Sequence, residues 1–81
     1  MPETWSFTDE FGQRIEFIVQ ARFYVCGQEY VAMRRLDRIN EEPVFFRVEV
    51  GSEGQERLMP PLFSEREEVE KTYLGMDTLV H

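Results

Sequence analysis

From Ile15 to Val25 every second residue is apolar: Ile15, Phe17, Val19, Ala21, Phe23 and Val25. Between them lie mostly polar side chains, Glu16, Gln20 and Arg22, with Ile18 and Tyr24 as exceptions. A helix would scatter these six residues around its circumference. Period-two alternation predicts a strand with one buried face, over about 14–26. Trp5 and Phe7 alternate with Thr4, Ser6 and Thr8 in the same way and predict a strand over 4–8. Setting Phe7 opposite Ile15 and Trp5 opposite Phe17 leaves Glu10-Phe11-Gly12 as a three-residue hairpin loop. Gly12 then falls where such loops need a left-handed residue.

After Val25, Gly27-Gln28 reads as a two-residue type II′ turn, with glycine at its first central position. That turn pairs Val25 with Tyr30, Phe23 with Ala32 and Val19 with Leu36 on the core face of a strand over 29–36. Asp37–Pro43 is polar and ends in proline. Val44, Phe46, Val48 and Val50 then alternate with Phe45, Arg47 and Glu49, a strand over 44–50. Glu56–Leu58 is an optional fifth strand, stopped by Pro60-Pro61, which cannot donate to a ladder. Ser64-Glu65-Arg66-Glu67 has the form of a capping box, and Val69, Tyr73, Met76 and Val80 share one face of the helix that follows. Gly75 lies within that stripe, so the helix is placed over about 65–74. The expected fold is α+β: an antiparallel meander of four to five strands, with one C-terminal helix packed on one sheet face.

Composition narrows the class. Eighty-one residues suit a single domain spanning 1–81, and seven Phe, three Tyr and one Trp supply much of the buriable area. No apolar run approaches the roughly 20 residues that span a bilayer. The Met1–Trp5 start has neither a basic nor an apolar signal region, and Cys26 is the only cysteine. These features predict a cytoplasmic protein without an internal disulfide. A net charge of −7 disfavours a general nucleic-acid or anionic-membrane binder. The exception is local: Arg34, Arg35 and Arg38 crowd one short stretch beside Asp37.

The run Phe7-Thr8-Asp9-Glu10-x-Gly12, then Ile15-Glu16-Phe17, Phe23, Gly27-Gln28-Glu29-Tyr30 and Arg47-Val48-Glu49 resembles the YrzB-like family, a small bacterial domain of unknown function. The resemblance covers roughly Trp5 to Tyr73 and rests on hydrophobic pattern and turns. It implies a bacterial, cytosolic, acidic and non-enzymatic protein. Two departures from the family pattern stand out: the arginines at 34, 35 and 38, and Phe11 in place of an acidic or polar turn residue.

Catalytic chemistry finds no footing in the sequence. The only histidine, His81, ends the chain, where fraying is expected. Cys26 adjoins a turn with no histidine nearby to activate it. The carboxylate clusters Asp9-Glu10, Glu41-Glu42 and Glu65/Glu67/Glu68 match no metal-ligand spacing. No catalytic residue, cofactor or metal site is therefore expected. The candidate site is a surface. The predicted register places Arg22, Met33 and Arg47 in a row across the outward sheet face. Gln20, Arg35 and Phe45 lie on one side of the row, and Tyr24, Val31 and Glu49 on the other. Candidate partner-binding residues are Arg22, Tyr24, Met33, Arg34, Arg35, Phe45 and Arg47, types enriched in protein interfaces. Such a face could also stack single-stranded nucleic acid, the alternative function. It could equally be a solvated face whose Arg stems lie over apolar neighbours. The expected partner is an unidentified protein. The chain is expected as a monomer, or as a homodimer through an edge strand, Trp5–Thr8 or Glu56–Leu58.

Overall fold

The first hairpin forms as its residues dictate. In the computed structural model, which describes residues 3–80 with side chains through Met76, strand β1 (Thr4–Thr8) pairs with β2 (Arg14–Val25). Trp5 faces Phe17 and Phe7 faces Ile15. The Asp9 amide donates to the Gln13 carbonyl at 2.9 Å, and Gly12 closes the loop at φ 82°. The Asp9 carboxylate accepts from the Phe11 and Gln13 amides, fixing the turn from within. His81 and the side chain of Val80, assigned above to a frayed end and to the helix stripe, lie outside the described residues.

Three further strands, β3 (Gln28–Arg35), β4 (Val44–Val50) and β5 (Glu56–Met59), complete one antiparallel sheet in chain order. A C-terminal helix, α1 (Arg66–Val80), packs on one of its faces, so the fold is the expected α+β meander. Single 3₁₀ turns occupy Leu36–Arg38 and Phe63–Glu65.

The second hairpin differs from its expected register. Cys26 and Gly27 both have positive φ, 51° and 81°, so the turn is type I′ over Cys26-Gly27 rather than type II′ over Gly27-Gln28. Val25 therefore faces Gln28, and Phe23 faces Tyr30. A non-glycine residue with a left-handed backbone carries a steric cost that Asn tolerates better. Cys26→Asn is expected to stabilise the protein by about 0.5–1 kcal/mol, read from the urea midpoint. An unchanged or lowered midpoint would argue against strain at this turn.

A larger difference lies within β2. Val19 faces Met33 but Ala21 faces Ala32, so Gln20 is an extra, bulged residue. Neighbouring residues of β3 point to opposite faces, so the bulge reverses the parity of β2. Phe17 packs with Val31, Met33 and Val48 on one face of the sheet, joined by Trp5, Phe7, Ile15, Val19, Phe46 and Leu58. Phe23 packs with Tyr30, Ala32 and Val69 on the other, joined by Ala21, Val25, Phe45, Tyr73 and Met76. The alternating run thus serves two faces, not one.

What covers each face follows from curvature. Phe7 on β1 and Phe46 on β4 are three strand spacings apart, about 14 Å in a flat sheet. Their ring centroids are 5.9 Å apart. The sheet therefore curls, and its concave face encloses the first cluster without a helix. The convex face carries the second cluster, which α1 covers through Val69, Tyr73 and Met76. The helix therefore packs with Ala21, Phe23 and Val25 of the alternating run, while Ile15, Phe17 and Val19 belong to the concave cluster.

The β3–β4 register is also shifted. Met33 faces Val44 and Tyr30 faces Arg47, instead of Arg47 facing Met33. The displacement is odd-numbered, so every β4 side chain changes face relative to the predicted pairing. At the start of the helix, Glu65 rather than Glu67 makes the reciprocal cap. Its carboxylate accepts from the Leu62 amide at 2.8 Å, while its own amide donates to the Leu62 carbonyl. The helix also continues past Gly75.

Candidate functional site

The seven residues predicted to share one outward face are divided between the two faces. Met33 is fully buried in the concave core. Arg22 lies on the same face, at the mouth of the curl, where its guanidinium meets three carboxylates. Nε donates to Glu3 at 3.0 Å, while Nη1 and Nη2 each reach 3.2 Å contacts with Glu29 and Glu56 respectively. Glu3 precedes β1 and Glu56 opens β5, so one side chain ties the two ends of the sheet together. The Arg22 hydrogen bond, seconded by the Trp5 indole, holds the Glu3 carboxyl below the usual range. Tyr24 is 67% exposed and Arg35 makes a paired contact with Asp37 at 2.9 and 2.8 Å.

Arg34, Phe45 and Arg47 belong to the convex side. Arg34 donates to the carbonyls of Ile39 and Glu41 and so pins the β3–β4 connection. Phe45 sits beneath α1, edge-on to Tyr73 at 5.5 Å and to Phe23 at 6.4 Å. Arg47 donates to the Gln28 side chain at 3.0 Å and lies 3.6 Å from Glu65. Buried Tyr30 donates its hydroxyl to the same Glu65 carboxylate. Burial and that neighbouring charge push the Tyr30 hydroxyl up to about 12. The Tyr30 hydrogen bond, with the Leu62 amide, lowers the Glu65 carboxyl. This network locks the start of α1 onto β3 and β4. Arg47 is therefore a docking residue for the helix.

The predicted Arg22–Met33–Arg47 row does not form, and a different feature does. β5 pairs with β4 only over Arg47–Val50. Val44–Phe46 have β3 on one side and, among the described residues, no strand on the other. Pro60 and Pro61 end β5 at that point because neither can extend the ladder. A gap of about 260 Å³ opens there between Pro61 and the Pro43–Phe45 stretch, with Arg66, Val69 and Glu70 of α1 along its side. It shares Pro43, Phe45 and Glu70 with a second hollow of about 470 Å³. The second hollow runs on past Tyr73 and Leu74 and is bounded by Glu41 and Glu42. The two form one groove between α1 and the free edge of β4. Met59, Leu62 and Phe63, on the connection that flanks it, are exposed, Phe63 by 89%.

Sequence reasoning missed this groove, although one signal pointed to it. The proline pair at 60–61 makes β5 shorter than β4, and unequal neighbouring strands leave an edge open. Among the described residues no group of His, Cys, Asp or Glu is placed to hold a metal ion, and no helix is long and apolar enough to cross a membrane. The chain matches no family model, no curated protein and no solved structure.

Proposed function

We propose that this chain is a small, acidic, cytoplasmic protein-binding module whose partner docks in the groove between α1 and β4. The observation that carries this reading is the unpaired edge at Val44–Phe46 with open space beside it. An unpaired strand edge offers main-chain donors and acceptors to an extended segment, and adjoining hollows take its alternate side chains. Exposed Met59, Leu62 and Phe63 add apolar contact area at one end. The resemblance to YrzB-like domains extends the proposal to a bacterial, non-enzymatic protein.

A protein partner is favoured over single-stranded nucleic acid by the state of the arginines. Arg47 lies on the convex face and Arg22 and Arg35 on the concave one, and each meets at least one carboxylate. They present no shared basic track to a phosphate backbone.

The test is site-specific photo-crosslinking in the native cell, with a photoreactive phenylalanine analogue at Val44 or, separately, at Tyr24. Both residues are exposed, and they lie on different parts of the sheet. A discrete adduct from position 44 and none from 24 is expected. Adducts from position 24 alone would move the binding surface away from the groove.

A further inference from the structure

We infer that the groove recognises an extended basic segment, placing an arginine of the partner over Phe45 and Tyr73 between Glu42 and Glu70. The inference rests on the protein-binding reading above and gives the partner a chemistry. Three observations carry it. The groove has an aromatic floor: Phe45 and Tyr73 are half-buried and locked edge-to-face, so part of each ring still faces the hollow. A guanidinium is attracted to the electron-rich face of such rings.

The second observation is charge. Glu41, Glu42 and Glu70 border the larger hollow, against the single cation Arg34. Arg34 is engaged with the Ile39 and Glu41 carbonyls, and Glu41 is paired with Arg38 at 3.6 Å. Among the described residues, Glu42 and Glu70 have no cationic partner, whereas Glu67, on the same helix, is matched by Lys71. An incoming cation would satisfy two carboxylates that the fold leaves unmatched. Arginine suits the site better than lysine, because its planar fork stacks on a ring while donating to carboxylates on either side.

The third is the edge itself. A strand added alongside Val44–Phe46 would run along the Phe45 side of the groove. Its alternate side chains would point to the convex face, toward the aromatic floor. At about 470 Å³, the larger hollow is within the range of roughly 300–1,000 Å³ that accommodates small-ligand groups.

The experiment titrates ¹⁵N-labelled protein with a nine-residue peptide alternating Val and Arg, and with the same peptide carrying Gln for Arg. The Arg peptide is expected to saturate, to shift the amides of Val44–Phe46 and Tyr73, and to bind at least about tenfold more tightly than the Gln peptide. Glu42→Lys and Glu70→Lys, both at exposed positions, should each weaken the Arg peptide about tenfold while leaving the free spectrum folded. Equal binding of the two peptides would overturn the basic segment yet leave the groove as a protein-binding edge. Shifts that do not saturate, or that spread over the other acidic surfaces, would overturn the inference. So would a failure of either peptide to bind. Crosslinking from position 44 tests the underlying reading independently of all these outcomes.

Discussion

Phe17→Ala is expected to cost about 3–5 kcal/mol, a large share of the roughly 5–15 kcal/mol that holds a domain together. Phe17 is 9% exposed and has no helix above it. Its ring lies edge-on to Phe7 at 5.5 Å and to Phe46 at 6.3 Å. Removing it empties the centre of the concave cluster, and the curled strands around it cannot collapse into the space without losing their own pairing. Urea denaturation measures the effect, with Phe11→Ala as the control. Phe11 is 83% exposed in the first hairpin loop, so its loss should change stability by less than about 0.5 kcal/mol. A cost below about 1 kcal/mol for Phe17→Ala would mean that the concave face is not close-packed.

Arg22→Met is expected to cost about 1–3 kcal/mol at neutral pH, between the worth of an exposed ion pair and that of a buried one. The methionine keeps most of the apolar stem, so the loss reports the charge. Three carboxylates, Glu3, Glu29 and Glu56, are then left facing one another where a cation had joined them. The pH dependence has a definite sign. Glu3 has its folded-state value below the ordinary 4.5, so its pairing with Arg22 adds stability above about pH 4.5. That stability is lost as pH falls through the lower folded-state value. Wild type should therefore lose stability in acid, and the gap between wild type and Arg22→Met should shrink as the carboxylates protonate. Equal gaps at about pH 7 and about pH 3 would refute an ionic staple.

The positions of the elements were legible because each rests on local physics. The three-residue loop at Glu10–Gly12 needs a left-handed residue at its end, and Gly12 supplies it. The Trp5–Phe17 and Phe7–Ile15 pairs then follow from loop length alone. The turn at Cys26-Gly27 was less legible, because glycine suits either of two turn types at different central positions. The choice moves the register of β2 on β3 by two residues. That slip keeps the faces but changes partners.

The candidate surface depended on two features that no local pattern reports. A bulge at Gln20 leaves the period-two alternation of β2 intact in sequence while reversing its faces in space. The β3–β4 connection is long enough to permit several registers, and the observed one moves Phe45 and Arg47 to the convex side. Arg22 and Arg47, expected as neighbours on one open face, thus hold opposite sides of the sheet together.

The sequence by itself determined five strands at most, one helix after a proline pair, the first hairpin and an acidic chain without catalytic motifs. Hydrophobic period, turn chemistry and charge are properties of neighbouring residues, and they survive without a fold. Tertiary structure alone decided which face each apolar residue serves, how the sheet curls over Phe17, and where β4 lies open beside α1. Those depend on contacts between residues far apart in the chain, which form only when the strands find their register and the sheet closes around its core.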